Sequence, residues 1–201
     1  MSDRISEETR RSGEIVGRVE NLVLAKGGYR SGERTDPLMG YWSLVLEFHR
    51  AILCLILNKF YGAACALLRP TIEAVVRAHL VISAPDRTLK MVLDDEYRTN
   101  LGEVGQEIDT AFGMDGFLGN FLTSTKDMLH GYTHVGMHQL GRRFTGKDLV
   151  PNYQEDEVIE LIHLGTKAVF MVNWIVTRHL GLKEESEETE KLLEEWSKQV
   201  V

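Results

Sequence analysis

Apolar residues recur along this chain at the three- and four-residue spacing of helices, and no stretch sustains the two-residue alternation of a strand. Ile15, Val19, Leu22 and Val23 share one face of a segment from about Ser6 to Lys26, which predicts a first amphipathic helix. The polar, glycine-rich run Gly27–Asp36 (GGYRSGERTD) follows as a flexible linker, so the first helix is expected to dock loosely or on a partner chain. Asp36-Pro37 has the chemistry of a helix start, an Asp cap followed by proline in the first helical position. The second helix should run from Pro37 to about Lys59, amphipathic at first and then apolar all round in AILCLIL. Only Asn58 and Lys59 interrupt the apolar stretch Ala51–Leu68. As a membrane span it would place Lys59 near mid-bilayer at a cost of roughly 3 kcal/mol. The better reading ends one helix at Asn58-Lys59 and uses Gly62 in the turn to the next.

A third helix is expected over Tyr61–Ser83. Its Arg69-Pro70 step requires either a new helix start or a kink. Ser83-Ala84-Pro85-Asp86 reads as a stop followed by a capped start, with one or two short helices to about Asp109. A fifth helix is expected over Asp115–Arg142. A sixth should cover Tyr153–Leu180, with Asn152 as N-cap, Glu155 reaching back and Gly181 at the C-terminal end. The C-terminal segment forms an acidic helix with Leu192, Leu193 and Trp196 as its stripe. The expectation is an all-α fold, a helical bundle of four main helices with shorter peripheral ones. Along the chain it divides into an N-terminal helix (1–26), the linker (27–36), the bundle core (37–182) and the acidic helix (183–201).

Composition narrows the function. With 43% hydrophobic and 26% charged residues over 201 positions, the chain suits one ordinary globular domain. A formal charge of −7 argues against a general DNA coater, which needs a basic face to displace counterions. The charge is uneven, however: Lys183–Val201 holds seven Glu against three Lys, whereas Lys126–Lys147 holds four Lys/Arg against Asp127 alone. Cys54 and Cys65 sit in apolar runs without paired spacing, as buried thiols of a reducing compartment do. The charged N-terminus lacks a signal-peptide core, so a cytoplasmic protein with no membrane association is expected.

Three features could carry chemistry. Arg69, Glu73 and Arg77 stand four apart on the third helix and share a stripe. They form either a structural ion-pair ladder or an anion site in which Glu73 orients arginine forks toward phosphate. His130, His134 and His138, again four apart, could approach a metal. The row lacks a His-Glu-x-x-His or Glu-x-x-His motif, so neither a metal nor another cofactor is expected, and a metal-dependent bundle enzyme is the third choice. Gly131, Gly136 and Gly141 weaken the same helix, as residues do where another backbone or a ligand comes close. Arg142, Arg143 and Lys147 end that segment with positive charge. His49, beside Glu47, reads as a packing histidine that could also face the site. No phosphate loop, dinucleotide fingerprint or nucleophile elbow is present.

The segments LLRPTIEAVVR (Leu67–Arg77), YTHVGMHQLGRR (Tyr132–Arg143) and VPNYQEDE (Val150–Glu157) together resemble an uncharacterised bacterial all-helical family, a domain of unknown function. The resemblance spans about Phe48–Trp174 and rests on Arg69, Glu73, Thr133, His134, Arg142, Arg143, Pro151, Asn152 and Tyr153. A looser likeness is to HEPN-type helical bundles, many of them RNases of bacterial defence and toxin–antitoxin systems. Those carry an Arg followed by a His after four to six residues. No arginine here has that partner, so such chemistry would be assembled between helices, for example Arg69 with His134.

Two classes of function follow. The first is a phosphate-handling, RNase-like site with His134 as acid/base, Glu73 orienting Arg69, and Arg69, Arg77, Arg142 and Arg143 holding phosphate, supported by Tyr132, Thr133 and His138. Its ligand would be RNA or another phosphate-bearing molecule. The second is a non-enzymatic helical module that binds a protein partner or itself. Apolar stripes at both ends of the chain lead to the expectation of a homodimer.

Overall fold

A computed structural model describes residues 2–97, 100–113, 115–134 and 136–199, with the side chains of all of these except Phe112, Phe117, Lys126 and His138. Among the described residues the architecture is all-α: α1 (Asp3–Leu24), α2 (Thr35–Leu57), α3 (Tyr61–Ser83), α4 (Asp86–Leu93), α5 (Leu101–Phe112), α6 (Phe117–Thr133), α7 (Met137–Gly141), α8 (Glu155–His179) and α9 (Lys183–Ser197). No strand is present among these residues; a lone bridge joins Thr145 to Asp148. Helix α8 is the hub and packs on α1, α2, α3 and α9, while α5 and α6 form a second hairpin that leans on α3. The four bundle helices are therefore α1, α2, α3 and α8, and the Asp115–Arg142 segment lies outside the bundle.

Helices α2 and α3 form the expected antiparallel hairpin. The turn is made by Lys59 in the left-handed region (φ 62°), not by Gly62, which is buried in the first turn of α3. Helix α3 runs through Pro70 without a restart, and the Thr71 hydroxyl donates to the Leu67 carbonyl beside the missing N–H. Asp36 does not cap α2. It lies in the first turn and accepts from the Ser31 hydroxyl at 2.6 Å, while Arg34 donates to the Val81 and Ala84 carbonyls that end α3. The cap of α8 is Gln154 rather than Asn152, closed by a reciprocal bond with Glu157. At its other end the Gly181 and Leu182 amides return to Arg178 and Thr177, with Gly181 left-handed at φ 71°.

Both terminal helices pack on their own bundle. Val16, Val19 and Val23 of α1 are buried, and so are Leu192 and Trp196 of α9. The stripes that suggest a dimer are thus covered within the chain. Two internal polar chains pin the layers. Trp42 donates to Asn173, which donates to Thr189, joining α2, α8 and α9. Ser12, His49 and Thr166 join α1, α2 and α8. Two helices, Thr35–Leu57 and Glu155–His179, are long and apolar enough to cross a membrane by length and composition; of an apolar 18-residue window in each, 39% and 72% is buried inside the bundle.

Candidate functional site

The polar stripe of α3 faces a cleft of about 640 Å³ closed by the α4–α5 connection, α5 and α6. Arg69, Glu73 and Arg77 form one wall; Asp95, Tyr97 and Thr123 stand opposite. Arg69 Nε donates to Glu73 Oε1 at 2.8 Å, one helical turn away. Its Nη1 lies 3.0 Å from His130 Nδ1 on α6. A guanidinium only donates, so Nδ1 is the acceptor and the neutral imidazole carries its proton on Nε2. The His134 ring packs on His130 with centroids 4.3 Å apart and planes tilted by 43°. Both imidazoles are exposed, and Arg77 reaches Asp95 at 3.0 Å.

The glycines explain why the histidines sit where they do. Helix α6 stops at Thr133, and the chain folds back so tightly that the Gly136 amide reaches the Gly131 carbonyl at 2.6 Å. A Cβ on Gly136 would stand 2.9 Å from the Gly131 Cα. The close backbone approach expected from these glycines occurs between the two glycines themselves. It splits the expected Asp115–Arg142 helix into α6 and α7 and leaves His134 at the exposed C-terminal cap of α6.

The other sequence candidates lie elsewhere. Arg142 forms a two-pronged pair with Glu157, Nη1 to Oε2 at 2.8 Å and Nη2 to Oε1, and also donates to the Asn152 carbonyl. Burial alone would raise the Glu157 carboxyl, but the Arg142 fork and the Gln154 N–H hold it below the ordinary range. Arg143 lies near Gly62, where a Cβ would meet its Nη2 at 3.3 Å; that is roughly 10 Å along α3 from Arg69. Thr133 returns its hydroxyl to the Leu129 carbonyl, and Tyr132 is buried beside Arg142. The side chain of His138 lies outside the described residues. Among those described, no three His, Cys, Asp or Glu side chains are grouped to hold a metal. Arg69, Glu73 and Arg77 thus line the cleft, and His130 joins it from outside the lining through its bond to Arg69, with the His134 ring packed against His130. Arg142 is committed to Glu157.

Asp95, Tyr97 and Thr123 carried no sequence signal of a site. His130 did, as one of a row of three at helical spacing. His49, the other candidate, is sealed in the core. Its Nε2 is 3.0 Å from Ser12 Oγ, which is 2.7 Å from Thr166 Oγ1, and the ring is fully buried. A Ser–His contact with no route to solvent is structural.

Fold and cleft define a helical-bundle protein with an arginine-lined polar cleft outside the bundle core. The chain belongs to a family of unknown function, DUF6988, whose family model matches residues 42–200. No curated protein and no solved structure matches the chain.

Proposed function

We propose that the α3–α6 cleft binds a phosphate-bearing ligand and that RNase-like phosphodiester cleavage is the chemistry it suits. The observation that carries this reading is Arg69, held through Nε by Glu73 and bonded through Nη1 to His130, on the same wall as Arg77. Fixing one edge of a guanidinium leaves its other donors pre-aimed for oxyanions. The carboxylate facing Arg77 is the largely solvent-exposed Asp95, an exposed pair of little net strength that a phosphate can displace. Cleavage of an RNA chain needs a base for the attacking hydroxyl and an acid for the leaving oxygen, and His130 and His134 supply two imidazoles side by side. The same reading puts the protein in the cytoplasm, where Cys54, exposed on α2 rather than buried as its apolar run suggests, stays reduced.

The test is RNA cleavage measured with thermal melting for the parent, Glu73→Gln, His130→Ala and His134→Ala. Because both histidines are exposed, their variants should melt like the parent while cleavage falls by about 10²-fold or more. A parent that neither cleaves RNA nor binds inorganic phosphate removes the reading.

A non-enzymatic binding module is the second reading. Met137, Leu140, Phe144, Leu149 and Val150 all expose large apolar side chains within one short stretch. Light scattering that shows a dimer, dissolved by Met137→Ser with Leu149→Ser, would favour it.

A further inference from the structure

A second cavity, of about 240 Å³, lies between α3, α6 and α8 on the other side of α6 from the polar cleft. Phe121, Met128 and Leu164 give it an apolar body, and Tyr132, Arg142 and Glu157 line it as well. An apolar pocket with a few polar groups is the usual form of a small-molecule site. An engineered cavity of roughly 150 Å³ is enough to hold benzene, so this one has room for a ring with a short substituent.

The polar groups determine what kind of substituent fits. Arg142 is occupied by both oxygens of Glu157, so a second carboxylate would have to displace the first or lie buried beside it. The Tyr132 phenol stands beside Arg142 in the same wall. A phenol both donates and accepts, so the Tyr132 O–H can donate to a ligand in the cavity. Burial raises the pKa of that phenol, which keeps the donor in place, and it pushes the Cys65 thiol up to about 11. A mostly protonated thiol makes Cys65 part of the wall and a slow nucleophile, alkylated through its small thiolate fraction.

We infer that this cavity binds a small neutral molecule, largely apolar and about one aromatic ring in size, with one carbonyl-type acceptor for the Tyr132 hydroxyl. The inference is independent of the phosphate cleft. Acetophenone has these features; benzoate has the same ring but a charged acceptor.

The chain's two cysteines give the readout, because Cys65 lines the cavity and Cys54 is exposed on α2 away from it. Alkylation of each by N-ethylmaleimide is followed by mass spectrometry on the full chain. Acetophenone should slow Cys65 saturably and leave Cys54 unchanged, while benzoate protects neither. In Tyr132→Phe the concentration giving half-protection should rise about fivefold, the loss of one neutral hydrogen bond. An unchanged Cys65 rate at the solubility limit of acetophenone overturns the inference. So does equal protection by benzoate, or a Tyr132→Phe titration that superimposes on the parent's. The contrast between the two probes on the parent decides the matter even if the variant does not fold.

Discussion

His49 shows how much a single buried polar residue can do. Thr166 donates to the Ile162 carbonyl at 2.9 Å, so its oxygen accepts from Ser12, and Ser12 in turn accepts from His49 Nε2–H. The direction of the chain fixes one tautomer and leaves Nδ1 without a partner among the described residues. Burial, with a smaller contribution from the Arg50 charge, lowers the imidazole to about 4 from an ordinary 6.5. The unfolded chain therefore binds a proton that the folded chain refuses between those two values. This contribution to stability is complete above pH 6.5 and is lost as pH falls toward 4, by about 3 kcal/mol. Chemical denaturation across that window should show a steeper fall for the parent than for His49→Gln, which keeps a donor to Ser12 but does not titrate. Parallel curves would mean that the ring is hydrated in solution. The sequence identified His49 as a packing residue. It could not show Ser12 and Thr166 as its partners, because they arrive from α1 and α8.

Element boundaries follow caps and backbone approaches more closely than apolar periodicity. Periodicity located α2, α3 and α8 to within about two residues at each end, because their faces are long and continuous. It ran α6 and α7 together because Leu129, Leu140 and their neighbours keep helical spacing across the break, while the Gly131–Gly136 contact that makes the break has no hydrophobic signature. The α5–α6 hairpin has the same character. A Cβ on Gly119 would stand 2.5 Å from Gln106 Cγ and 3.0 Å from the Gln106 backbone nitrogen, so these helices touch backbone to backbone. Asp109 of α5 completes the joint by accepting from the Leu118 and Gly119 amides at 2.8 Å, capping α6 from a neighbouring helix. Gly119→Ala, favoured by helix propensity by up to ~1 kcal/mol, should nevertheless destabilise by about 1–3 kcal/mol as α5 is pushed away. Thermal melting tests this directly; a variant that melts higher than the parent would show that the hairpin can open without loss.

At the scale of the molecule, α6 is a partition. The polar cleft lies on one side of it and the apolar cavity on the other, and Leu129, almost fully buried, lines both. The stripe Arg69–Glu73–Arg77 was legible from spacing alone. Neither cavity was, because each is closed by elements distant in sequence, and so the sequence grouped Arg142 and Arg143 with Arg69 where the structure gives Arg142 to Glu157. The partition is thin enough to test. Leu129→Ala removes the side chain that separates the two spaces. If α6 stays in place, the cavities merge and the loss should be about 2–5 kcal/mol, the transfer term of leucine plus the space left behind. Urea unfolding should then show a lower midpoint with an unchanged slope, since the surface exposed on unfolding is the same. A loss below about 1 kcal/mol would mean that α6 sinks toward α3 and closes the gap. That outcome would mark α6 as a movable wall, through which filling the apolar cavity could shift His130 relative to Arg69.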